Sequence, residues 1–329
     1  MQVKQNKCAV LRVWLLVGLA LSSPAAISQS YPTKVIRIID GFTSGSATDF
    51  QARVIAQKLT ERLGQSVIVE NRPGGGGNVG PEIAAKSPPD GYTLLMGSIL
   101  TLAASRNMYP NLGYDALRDL APVTTVSSGA YVLVVATALP VTTVKELIAL
   151  AKSRPGQLRY GSGGGVGSPA HLATEMLKAR AGIDILHVPY KGATPAVTAV
   201  VSGEVQLSFP SLAAALPLVE ARKLRAVAVT TTQRVPAVPD LPTVAESGVL
   251  GFDVTPWYGV LAPTATPREI IGLLSAEIDK VLQLADVRMI FAKQGLETTS
   301  GTPEHLRQVL QTETERWGKV IKEANIKAE

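Results

Sequence analysis

The chain has 329 residues, 46% of them hydrophobic, and 32 Lys and Arg against 26 Asp and Glu, a formal net charge of +6. A single cysteine excludes a disulfide framework, and no basic block is dense enough to mark a nucleic-acid surface. The length suffices for one large core or two medium domains.

Residues 1–30 read as a signal peptide. Lys4, Lys7 and Arg12 come before or at the start of an apolar run from Val13 to Leu21, and small residues follow at Ala25, Ala26 and Ser28. The run is short for a bilayer span, so cleavage is expected at Ser28 or Ser30, releasing a soluble periplasmic protein. Cys8 leaves with this segment, and no cysteine follows the apolar run as a lipoprotein would require. Three of the 32 basic and none of the 26 acidic residues fall in 1–30, so the net charge drops from +6 to +3.

From there the pattern is strand, loop, helix, repeated. "KVIRIID" (34–40) reads as a strand, "DFQARVIAQKLTERLG" (49–64) as a helix and "SVIVE" (66–70) as a strand. "NVGPEIAAKS" is a short helix, and "YTLLMG" (92–97), ending beside Ser98, is a third strand. A second series opens near Tyr131 with the strand "YVLVVA", the helix "TVKELIALAKSRPG" and the strand "LRYG". The helix "SPAHLATEMLKARAG", the strand "ILHVPY", a helix around "TPAVTAVVSG" and the strand "VQLSF" follow. The helix "LAAALPLVEARK" and the strand "LRAVAVT" close the series. A Pro-rich connection leads to "WYGVLAP" (257–263), which reads as a strand rejoining the first sheet, and the remainder is helical. Such alternation indicates an α/β fold with largely parallel sheets. The expected division is lobe one from 31–130 and 251–329, with lobe two, 131–250, inserted.

The two halves resemble each other at one place. "IIDGFTSGSATDFQARV" and "RYGSGGGVGSPAHLATE" each run from a strand through a Gly/Ser loop into a helix. Neither specific nucleotide signature is met in the second loop. G-x-G-x-x-G from Gly161 and Gly163 needs glycine where Val166 stands, and the one Gly-Lys pair, Gly318-Lys319, is followed by Val320. What remains is a helix start, whose amides and dipole hold a carboxylate as readily as a phosphate. Ser168 as N-cap with Pro169 at the first helical position explains the end of the loop but not its three consecutive glycines. Asp49 reads as an N-cap, with the backbone of Ser44–Thr48 as the better anion contact. "ENRPGGGGNVG" (70–80) is either a turn beside the cleft or a ligand contact. In "HVPYKGATPA" (187–196), Tyr190 is placed to stack on or hydrogen-bond a ligand, while Lys191 reads as a solvated charge.

Catalytic signals are scarce. There is no G-x-S-x-G and no H-E-x-x-H, and His171, His187 and His305 stand apart without ligand spacing. His171, one turn into the helix after the loop, reads as a packing or supporting residue rather than a base. No cofactor or metal is called for.

Taken in order, "YPTKVIRII", the "ATD..AR" helix entry, "VIVENRPGGGGNVG", "PPDGYTLLMGS", "YGSGGGVGSPAHLATE", "HVPYKGATPA" and "WYGVLAPTATP" carry a resemblance over essentially the whole mature chain. The chain resembles the Bug-type extracytoplasmic solute receptors, the substrate-binding proteins of tripartite tricarboxylate transporters. The resemblance implies a two-lobed α/β periplasmic binding protein, type II-like, that closes on a small carboxylate in the cleft between its lobes. It places Phe42–Thr48 and Ser162–Ser168 around one carboxylate. The expected ligand contacts are Phe42, Ser44, Gly45, Ser46, Ala47, Thr48 and Asp49 from the first loop, with Ser98. From the second lobe they are Ser162, Gly163, Gly164, Val166, Gly167, Ser168, His171, Tyr190, Gly192 and Ala193. Two departures from the family pattern are "DGFTSGSATD", where Pro-Gly-Gly is commoner, and "GEVQLSFPS", where Gln206 and the position after Phe209 are commonly acidic. Both are expected to bear on ligand identity. The implied function is a non-catalytic, monomeric receptor that delivers its ligand to membrane permease subunits. A periplasmic hydrolase or lyase using the same cleft, and a ligand-sensing partner of a membrane receptor, are the alternatives.

Overall fold

The computed structural model describes residues 31–163, 166–323 and 326, so the signal segment 1–30 and the Gly164 contact lie outside the described residues. Lys34–Glu329 is one compact unit and contains both sheets; of the separate unit Met1–Thr33 only Tyr31–Thr33 are described.

The first sheet has six strands: β1 (Ile36–Asp40), β2 (Val67–Asn71), β3 (Thr93–Ser98), β4 (Leu120–Gly129), β10 (Trp257–Pro263) and β11 (Leu296–Thr298). Their order is β11-β4-β10-β3-β1-β2. The second has β5 (Val132–Ala136), β6 (Arg159–Gly163), β7 (Leu186–Tyr190), β8 (Leu207–Ser208) and β9 (Leu224–Val229), in the order β7-β6-β8-β5-β9. The sheets are mixed rather than largely parallel. β2, β1 and β3 run parallel, and β10, β4 and β11 join antiparallel. The second sheet repeats the scheme: β7, β6 and β8 are parallel, with β5 and β9 antiparallel. Apart from the edge strand β11, the two sheets share one order and one set of directions.

Each first-half strand is short and apolar because helices cover both of its faces; Ile36, Ile38 and Ile39 of β1 are all fully buried. The Ala47–Leu63 helix packs Ala52, Ile55, Ala56 and Leu59, spaced three and four apart, onto that sheet. Ser46 caps its start by accepting the Asp49 amide, and Gly64 ends it in the left-handed conformation at φ 66°. Thr143 and Glu146 form a reciprocal capping box on the Val144–Ser153 helix. One continuous apolar cluster joins the two sheets, running from Leu95 and Leu100 through Met108 to Leu133, Leu172 and Tyr160.

Candidate functional site

Between the sheets lies a cleft of about 990 Å³, lined from both lobes. Topology puts it there. Loops leaving β1 and β6 occupy corresponding places, and each runs into a helix whose N-terminus faces the cleft: Ala47–Leu63 from the first lobe and Pro169–Ala181 from the second. The Ala193–Ser202 helix supplies a third N-terminus. Among the described residues, the amides of Ala47, Thr48, Ala170, Ala193 and Thr194 have no protein acceptor. Five unused donors at three helix starts make a strong anion field.

The first loop is held from beneath by two carboxylates. Asp49 Oδ2 accepts the Gly45 amide at 2.9 Å and Arg53 Nε at 2.9 Å, while Asn71 Nδ2 reaches its Oδ1 at 2.9 Å. Burial pushes the Asp49 carboxyl up, but Arg53, the Gly45 amide and Asn71 together outweigh it and hold it down to about 2. Asp40, fully buried at the end of β1, accepts the Phe42 amide at 3.2 Å and the Ser46 hydroxyl at 3.2 Å. Burial dominates there and lifts its carboxyl to about 6, with the negative Asp49 adding to the rise and hydrogen bonds from Thr48, Phe42 and Ser46 opposing it. Arg53 is thus engaged by Asp49 and Asn71, and the loop's own aspartates use the Phe42 and Gly45 amides.

The second loop rests on a cluster of rings. Ser162 Oγ and His187 Nε2 lie 2.6 Å apart, the Gly167 amide donates to His171 Nδ1 at 3.2 Å, and the two imidazoles are 4.6 Å apart between centroids. Tyr160 stacks on His187 at 4.8 Å and donates to Glu175 at 2.8 Å. The serine–histidine contact is no exposed nucleophile: Ser162 is fully buried, and neither it nor His187 lines the cleft. Ser168 accepts the His171 amide and lines the cleft.

Of the expected contacts, Phe42, Ser44–Asp49, Ser98, Gly163, Val166, Ser168, Gly192 and Ala193 line the cleft. Ser162, Gly167, His171 and Tyr190 do not. Ser162 turns into the histidine cluster, and His171 supports the loop from behind. Gly167 sits at φ 80° against Met108 of the first lobe. The Tyr190 hydroxyl is bonded to Glu204 at 2.8 Å on the surface, away from the cleft lining. Gln206 also lies off the cleft: its Oε1 takes the Arg159 amide at 2.8 Å, whereas Pro210, after Phe209, does line it. Gly163 is required by packing, since a Cβ there would stand 2.4 Å from Ala193 Cα. The "PGGGG" run has the same origin in part, because a Cβ on Gly77 would fall 2.5 Å from the Phe42 ring.

Sequence reasoning passed over Tyr131 and Tyr258, which line the cleft from opposite lobes close enough for their side chains to interact. Each stands at the start of an apolar strand, where it reads as one more strand aromatic. No helix among the described residues is long and apolar enough to cross a membrane, and none of their acidic, histidine or cysteine side chains group as a metal site.

The family model described as "Tripartite tricarboxylate transporter family receptor" matches residues 51–326. Protein BugT of Bordetella pertussis is 37% identical over 320 residues, covering 97% of each chain. The R. palustris protein Rpa4515, solved with adipate, superposes with a TM-score of 0.82 at 39% identity, over 90% of this chain and 99% of its own. The periplasmic binding protein BugD superposes with a TM-score of 0.79 at 29% identity, over 91% and 100%. Two lobes of matching topology, helix starts turned to the cleft between them, and a family match over nearly the whole described length lead to one assignment: the chain belongs to the tripartite tricarboxylate transporter receptor family, whose members are solute-binding receptors and not enzymes.

Proposed function

We propose that this receptor works in the periplasm, captures a small carboxylate between lobes 31–130 with 251–329 and 131–250, and delivers it to the permease subunits of a tripartite transporter. The observation that carries the reading is the set of unused amides at the Ala47, Pro169 and Ala193 helix starts, which face one cleft from both lobes. Oriented N–H groups hold a carboxylate without a guanidinium clamp, and Arg53 is already engaged by Asp49. The adipate on Rpa4515 is in keeping with this ligand class. The contacts we assign are Ser44–Thr48 and Ser98 from lobe one, and Gly163, Val166, Ser168, Gly192 and Ala193 from lobe two.

Mass spectrometry of the ligand that co-purifies with protein expressed in its exported form tests this. A small carboxylate, recovered unchanged after prolonged incubation and rebinding in calorimetric titration, is expected. A ligand without a carboxylate, or one converted on incubation, would overturn the reading. Pull-down on membranes separates delivery to a permease from the sensing of a ligand for another receptor.

A further inference from the structure

The repeated topology gives each lobe the same three positions along its cleft edge. The glycine loop leaves β1 or β6; the next strand in the sheet ends in a serine, Ser98 on β3 or Ser208 on β8; the strand beside that has a tyrosine next to its start, Tyr258 as the second residue of β10 or Tyr131 just before β5. With strands about 4.8 Å apart, each tyrosine strand lies two spacings, roughly 10 Å, from its glycine-loop strand. The two tyrosines meet across the cleft.

Counting protons at that end leaves donors over. A contact between two phenols can use at most one of their two protons. Ser98 stands directly opposite Tyr258 in the β3–β10 ladder; it is 6% exposed, lines the cleft, and its Oγ is buried without a partner. Ser208, by contrast, donates to Gly161 O at 2.8 Å. A buried hydroxyl left unmatched is costly, so this end calls for an acceptor.

Charge decides what kind. The charged residues lining the cleft are Asp49, Arg53 and Lys191. Asp49 and Arg53 stand in the first two turns of the helix that follows the first glycine loop, and Lys191 precedes the Gly192–Ala193 segment that packs on Gly163 of the second. All the positive charge is therefore at the glycine-loop end. Around the tyrosines the lining carries no charge: Ala130, Phe209, Pro256 and Leu296 stand with the uncharged Ser211 and Gln294. A second carboxylate there would lose its hydration with no counter-charge, whereas a hydroxyl, keto or ether oxygen satisfies the same donors at small cost.

We infer that the ligand is a monocarboxylate whose far end carries an uncharged oxygen, received by Ser98 and the Tyr131–Tyr258 pair. The inference rests on the carboxylate reading above and narrows it. Its body is apolar and about as long as a benzene ring or a medium alkyl chain.

Two matched probe sets test it by calorimetric titration: hexanoate, ω-hydroxyhexanoate and adipate, and benzoate, para-hydroxybenzoate and terephthalate. In at least one set the hydroxy acid is expected to bind about tenfold tighter than both the plain acid and the diacid. Tyr258→Phe should erase most of that preference and leave the plain acid within about twofold, and Ser98→Ala should weaken the hydroxy acid more than it weakens the plain acid. A preference for the diacid, equal binding of hydroxy and plain acids, equal weakening of all three by Tyr258→Phe, or no binding in either set would each overturn the inference. The parent reading fails on a different result, a co-purified ligand that is not a carboxylate.

Discussion

The Gly167 amide donates to His171 Nδ1 over 3.2 Å, so the end of the second glycine loop hangs on a histidine that must be neutral to accept it. Burial lowers the His171 pKa to about 4, the neighbouring His187 and Lys178 push the same way, and Glu175 opposes them. The contact is intact at neutral pH.

An acid-side stability loss follows. Between about 6.5 and about 4 the unfolded chain takes up a proton at this position that the folded one refuses, so His171 costs stability progressively as pH falls through that window. The full contribution is on the order of 3 kcal/mol. Urea unfolding of wild type and His171→Gln at pH 7 and pH 4.5 is expected to show a smaller acid loss in the variant. Equal losses would place the effect elsewhere.

Asp40 should act with the opposite sign. Its folded pKa is raised from 3.8 to about 6, so its contribution is fully present below 3.8 and lost as pH rises through 6. Asp40→Asn is therefore expected to improve relative to wild type between pH 4 and pH 6, by up to about 3 kcal/mol, and to change little above that. The same unfolding series reads it. A pH-independent difference between the two proteins would reject the assignment.

Two glycines near the cleft should respond differently to the same substitution. Gly163→Ala drives a Cβ to within 2.4 Å of Ala193 Cα, an overpacking that costs about 1–3 kcal/mol. Gly45→Ala meets nothing within 4 Å and pays only for its φ of +84°, about 1 kcal/mol. Denaturation midpoints rank them, and Gly45→Ala the worse of the two would contradict the packing argument.

Ser168 has two functions that one substitution separates. Its Oγ accepts the His171 amide as the cap of the Pro169–Ala181 helix, and the residue lines the cleft. Ser168→Ala is expected to lower stability by about 1 kcal/mol. It should also weaken the co-purified carboxylate about tenfold, the loss of one hydrogen bond to a charged group. Unchanged affinity with lowered stability would leave Ser168 a cap alone.

The repeated strand–loop–helix units were legible because local rules govern them. β1, β2, β3 and β5 to β10 follow apolar runs, and glycine or proline marks most helix ends. β4 (Leu120–Gly129) escaped, since Pro122, two threonines and two serines interrupt its apolar character. It is nonetheless the strand between β10 and β11, and Ser127 uses its hydroxyl on the buried Gln51 at 2.6 Å. The antiparallel half of each sheet was equally hidden, because strand direction depends on which neighbour a strand finds.

The sequence by itself determined the two glycine loops, the helix starts they feed and the family they announce, because turns, caps and spacing are encoded within a few residues of one another. Only the tertiary structure decided which loop residues face the cleft. Ser162 and Ser168, six residues apart on one loop, point respectively into a histidine cluster and into the site. Tyr190, adjacent to the cleft residue Lys191, turns to Glu204. The meeting of Tyr131 with Tyr258 joins positions 127 residues apart, and no local pattern constrains such a contact. It exists because two sheets of the same topology face each other, and side-chain direction there is set by packing between lobes.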